Sequence, residues 1–365
     1  MKKYLALFIL FFTTCFPAGK GSVADHISNR ILDDELYTGY ISADISGDRA
    51  TGIYSDERTL SLKYLDLNEG EFRPKFIDKI DSENKYNSNL GYHVYLKDAD
   101  KEYVLYEDYI EEKNKIFKII QRDKKSDNWT VETLNIDPKE YAAFLHDNKV
   151  FIIYLKNRLN AYILDKTDIT AELNIDATDC YNIKIIKEKY SNLFYLFYIS
   201  NGALIRNTVR INYEKEYSFA PLEAVSITKG VKEYRVKLDD NKVPVVLYYS
   251  NEDYSAQFID GKSKTQKIGY FHGIHCFDFV IAENEPIFFI STSDRESSGV
   301  DTKFYISIIY KKNVKQNKWS EDKIAESLFP VISMSAEYRD NYVYLLYADN
   351  NLNFSKIDFS FTGIN

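Results

Sequence analysis

The stretch FHGIHCFDF, Phe271–Phe279, packs metal-ligating side chains closely: His272, His275 and Cys276. Imidazole and thiolate are the usual zinc ligands, and zinc takes three or four of them in tetrahedral reach. On a strand, however, His275 and Cys276 point to opposite faces, so the two do not share one ion. A second stretch, DATDC, contributes Asp176 and Asp179 just before Cys180. If the two loops converge, His272, His275, Asp176 and Asp179 form a composite ligand-binding site. If they do not, they are surface groups. No metal or cofactor is assigned from these residues. A cysteine nucleophile needs a partnering histidine, and the alternation turns His275 away from Cys276. Arginines occur in several loops, among them Arg58, Arg158 and Arg295, but their places do not repeat. No Gly-rich phosphate loop, Ser-centred elbow or calcium loop is present.

The elements that position these residues are strands. An apolar-aromatic run recurs as ATGIYSDE at Ala50, KEYVLYEDY at Lys101, NKVFIIYLKN at Asn148 and SNLFYLFYISN at Ser191. It continues as NKVPVVLYYSN at Asn241, NEPIFFISTSD at Asn284 and DNYVYLLYADN at Asp340. The spacing is roughly 40 to 55 residues. Before each run stands a shorter alternating segment, such as YAAFLHD, YNIKIIKE, EYRVKLDD or CFDFVIAE. After it come a second alternating segment and, in several units, a more polar one, as in WTVETLNI at Trp129 and WSEDKIAESL at Trp319.

Four antiparallel strands at this period predict an all-β fold, a seven-bladed β-propeller. The second strand of each blade lacks a polar face because neighbouring blades cover both of its sides. The seventh unit ends after its third strand. Val23–Leu32 is strand-like and is expected to supply the missing outer strand, closing the ring and hiding a sheet edge. Tyr37–Ile45 then begins the first blade. Cys180 and Cys276 fall on inner strands two blades apart, too far for a disulfide, so two buried free thiols are expected.

The pattern resembles the bacterial β-propeller repeat proteins, with a likeness to sialidase-type propellers. Their Ser-x-Asp-x-Gly-x-x-Trp box has partial counterparts in KKSDNW, Lys124–Trp129, and KQNKW, Lys315–Trp319, both without the glycine. The resemblance spans nearly the whole mature chain and implies the fold alone.

The first residues, MKKYLALFILFFTTCFPAGKG, carry two lysines and then a short apolar run. That is the layout of a secretory leader over residues 1–21, with one propeller domain over 22–365. Cleavage falls either before a lipidated Cys15, as in lipoproteins, or between Cys15 and Gly21. The expected location is therefore the periplasm, the outer-membrane surface or the exterior, with membrane contact only through such an anchor. The 365 residues carry a formal net charge of −8, which argues against nucleic acid as a partner. Two functions remain. One is a non-catalytic propeller binding a protein or glycan at the cell envelope. The other is a glycan-active hydrolase or lyase, which needs two carboxylates at one mouth.

Overall fold

The computed structural model describes residues 23–360 except 35–38, 57, 70, 80–91, 111–113, 165–168, 251–254, 260–263, 272, 294–301 and 314–317. The leader, Cys15 and Tyr37 lie outside the described residues, as do His272 and Arg295. Seven antiparallel sheets follow one another along the chain, a β-propeller. The inner strands are Ile41–Ser46, His93–Lys97, Glu140–His146, Cys180–Lys187, Val231–Leu238, Cys276–Ala282 and Ser333–Arg339. Blade 1 departs from the four-strand pattern: two short segments, Glu71–Phe72 and Lys75–Lys79, both pair with its third strand.

All seven expected apolar runs are the second strands of blades. Blade 3 shows why they tolerate no polar face. Phe151, Ile153 and Leu155 enter the core shared with blade 4. Val150, Ile152 and Tyr154 enter the core shared with blade 2. Alternation along a strand sends successive side chains to opposite faces, and here both faces are seams. Trp129 and Trp319 lie on outer strands, where they pack edgewise or tilted on Tyr64 and Phe288.

The Asp-Asn knots are hairpin turns. Asp147 and Asn148, Glu283 and Asn284, and Asp340 and Asn341 all have positive φ. Two-residue loops of this kind match the twist of the flanking strands, and Asn and Asp tolerate the geometry. They set the register of inner strand on second strand, as in His146 opposite Lys149 and Arg339 opposite Tyr342.

The ring closes as expected. Ile27–Asp33 pairs antiparallel with Leu352–Asp358 and is the outer strand of blade 7. Its start differs from the expected Val23: Val23–His26 is a 3-10 turn. Val23 is wholly buried in the seam of blades 6 and 7. At the other end Asp33 accepts hydrogen bonds from Tyr54 Oη at 2.7 Å and Lys63 Nζ at 3.2 Å, both in blade 1. The closing strand is thus fastened to both neighbours of its blade.

Candidate functional site in the central channel

Inner strands leave backbone groups unpaired toward the axis, and side chains of the preceding blade satisfy several of them. Ile41 N donates to Ser333 Oγ at 3.0 Å and Tyr95 N to Ser42 Oγ at 3.0 Å. Asn182 N donates to Glu140 Oε2 at 3.1 Å and Ala336 N to Asp278 Oδ2 at 2.9 Å. These bonds fix the inner strands around a cavity of about 750 Å³ at the end where the strands begin. Lys237 Nζ reaches from blade 5 to Asp278 of blade 6 at 3.0 Å and to the Ala336 carbonyl of blade 7 at 2.9 Å. Lys237 stands next along its strand from the lining residue Val236, and Ala336 two beyond the lining residue Met334; together they form a floor. A smaller space of about 440 Å³ lies at the other mouth, with Asp44, Lys97, Lys187 and Lys189.

The larger cavity is polar and nearly balanced in charge. Its lining includes Glu107, Glu140 and Glu233 together with Lys139, Lys184 and Arg235. Glu107 pairs with Lys115 at 2.7 Å. Burial raises the carboxyls of both Glu107 and Glu140 above the usual range; each is also raised by a nearby carboxylate, Asp137 for Glu107 and Glu107 for Glu140. Glu233 behaves oppositely. Burial works against its charge, but Arg235 and Lys184 outweigh it and hold the carboxyl below the usual range. Arg235 Nη1 donates to Glu233 Oε1 at 2.5 Å, and its guanidinium lies 5.0 Å from the Phe277 ring centre.

Tyrosines edge the opening. Tyr40, Tyr92 and Tyr141 form a chain of edge-to-face contacts with centroids 5.9 and 5.6 Å apart. Tyr92 and Tyr181 remain 38% and 43% exposed, so their rings are available to a ligand. Surrounding protein nevertheless pushes the Tyr92 hydroxyl up to about 12, chiefly by burial.

Of the residues singled out in the sequence, His275 lines this cavity, exposed and edge-on to Phe304 at 5.1 Å. Desolvation by the protein around it lowers its imidazole. Asp176 and Asp179 are exposed and do not line the cavity. Arg58 and Arg158 do not line it either, and Arg158 pairs with Glu172 at 3.0 Å. Among the described residues no group of three or more His, Cys, Asp or Glu is placed to hold a metal ion. Cys180 and Cys276 are buried free thiols, raised by burial to about 11 and about 12. Sequence reasoning missed Glu140, Lys184, Glu233 and Arg235. The available signal was charge on inner strands, as in the alternating Glu233, Arg235 and Lys237 of EYRVKL.

The fold is similar to that of known β-propellers. The chain is similar to the WD40 β-propeller domain of Doa1, with TM-score 0.51 and 8% identity over 90% of this chain and 97% of that one. It is also similar to Kuenenia stuttgartiensis hydrazine synthase, with TM-score 0.52 and 8% identity over 89% and 96%. At such identity the likeness defines the fold, a seven-bladed β-propeller, and nothing specific to sialidases. No protein-family model matches the sequence, and no curated protein matches it. Among the described residues no helix is long and apolar enough to cross a membrane.

Proposed function

We propose that the protein is an exported, non-catalytic β-propeller that binds a partner at the cell envelope, a glycan in preference to a protein, across the tyrosine-edged mouth of its channel. Export rests on the leader-like N-terminus. The observation that carries the binding reading is the cavity itself. Its volume falls in the range of small-ligand sites. Exposed Tyr92 and Tyr181 offer faces for sugar rings, and the charged groups below offer hydrogen bonds to hydroxyls. Its carboxylates are already occupied, Glu107 by Lys115, Glu140 by a backbone amide and Glu233 by Arg235. That arrangement suits binding better than proton transfer.

One observation favours a second reading, a glycan-active hydrolase or lyase: Glu107 and Glu140 share one cavity, and both are raised toward neutral pH. Paired carboxyls with a raised member are what glycoside cleavage requires. An array of envelope glycans, read for binding and for release of shorter products, separates the two. Binding that Tyr92→Ala or Tyr181→Ala weakens, with no product, supports the binding module. Product formation that Glu140→Gln abolishes supports the enzyme and overturns it. Binding that neither tyrosine substitution affects removes the channel mouth as the binding face.

A further inference from the structure

Three cations around the channel have a carboxylate beside them. Lys115 has Glu107, Arg235 has Glu233, and Lys237 has Asp278. Lys184 differs. Among the described residues no carboxylate lies within ion-pair distance of its amine, which instead sits 5.3 Å from the centre of the Tyr234 ring. Lys184 lines the 750 Å³ cavity together with Arg235 of the next blade. Tyr234 is itself anchored, its hydroxyl donating to the Asn182 carbonyl at 2.5 Å. The amine is therefore held in an accessible cavity that it shares with a guanidinium, with Glu233 and Asp278 close enough to act on it by charge but not paired with it.

We propose that Lys184 is a carbonyl-capturing amine, forming a reversible imine with a small 2-oxo acid whose carboxylate is held by Arg235. The inference goes beyond the glycan-binding reading; both place a ligand against Arg235 in one cavity, so the two ligands compete there, and the trapping below is run without glycan. The amine lone pair adds to the carbonyl carbon to give a carbinolamine, and loss of one water gives the imine. No electrons are exchanged with an outside reagent. Arg235 donates Nη1 to Glu233 and the Tyr234 carbonyl and also bonds the Cys276 thiol; a guanidinium has five N–H donors in all, and those left over can meet a carboxylate.

The environment supplies the reactive form. Burial, then the adjacent Arg235, lowers the Lys184 ammonium to about 7, against the opposing pull of Glu233, Asp278 and Cys276. Near neutral pH Lys184 then supplies free amine, whereas an ordinary lysine near 10.5 is almost wholly protonated. A lysine desolvated beside another cation is a recognised route to an amine nucleophile.

The test is reductive trapping on the full mature chain at pH 7. Pyruvate is added with cyanoborohydride, which reduces the imine to a stable secondary amine, and labelled peptides are mapped by mass spectrometry. The expected result is dominant labelling at Lys184. Propanal has the carbonyl without the carboxylate but, as an aldehyde, is the faster imine former; with each rate normalised to that for Nα-acetyl-lysine, propanal should label Lys184 about tenfold more slowly than pyruvate, the loss of one charge-assisted contact. Lys184→Met should abolish the dominant label. If that variant does not fold, the wild-type map and the propanal comparison still decide. Label spread over surface lysines in proportion to exposure, or absent from Lys184, overturns the proposal. Equal normalised labelling by propanal overturns the role of Arg235.

Discussion

Asp278 is the most exacting position in the channel floor. It is buried, and its Oδ2 accepts from both Lys237 Nζ and the Ala336 amide, so one atom ties blades 5, 6 and 7 together. Asp278→Ala leaves the ammonium without its counter-charge and the amide without an acceptor. Breaking a buried pair by removing one partner costs about 3–5 kcal/mol. Lys237 keeps part of its solvent contact and its bond to the Ala336 carbonyl, which places the expected loss near the lower end. With about 2.1 cal/mol/K of unfolding entropy per residue, a chain of 365 residues loses about 4–6 °C of Tm for 3–5 kcal/mol. Calorimetry on wild type, Asp278→Ala, Lys237→Met and the double variant gives both the loss and the coupling. The expected coupling is about 1.5–3 kcal/mol, that of a charge-assisted hydrogen bond. An Asp278→Ala variant within 1 °C of wild type, or singles that add without coupling, refutes the bridged floor.

Three further outcomes follow from the same structure. Deleting the residues up to Asp33 uncovers the edge of Leu352–Asp358, so the truncated chain should aggregate or self-associate on size exclusion; a monomer with unchanged Tm would contradict the closure. Glu140→Gln should raise stability at pH 7. The folded carboxyl is raised above its unfolded value, so the wild type loses stability as pH climbs from the ordinary carboxyl range through that raised value. The gain should vanish below about pH 4, where both states are protonated, and denaturant midpoints at the two pH values check the sign. Gly52→Ala should be destabilising by about 1–3 kcal/mol, since its Cβ would lie 2.4 Å from Ser42 O and 2.6 Å from Ala43 Cα, both backbone atoms of the inner strand. Thermal melts of that variant give the measure.

Much of the architecture is legible in the chain because seam packing dictates it. The run from Val150 to Leu155 must be apolar at every position when Val150, Ile152 and Tyr154 face one blade and Phe151, Ile153 and Leu155 the other. The unpaired seventh blade announces its own partner in the same way. Details set by local geometry were less legible. Val23 reads as strand, yet its burial in the seam of blades 6 and 7 is achieved in a 3-10 turn. The site was legible only in part. His275 stood out because His and Cys are scarce, and it does line the channel. Lys184, Glu233 and Arg235 did not stand out, because charged residues make up 28% of the chain and most sit on solvated faces. Glu233 and Arg235 stand two apart on one inner strand, and only the ring brings Lys184 of the neighbouring inner strand into the same cavity.

The central functional claim is that the ligand enters the channel between the exposed tyrosines. A crystal structure grown with the tightest-binding glycan tests it most directly. Sugar density over Tyr92 or Tyr181, with hydroxyls reaching toward Glu140 and Arg235, is the expected result. A ligand seated on the outer strands, with the cavity holding solvent alone, contradicts the account.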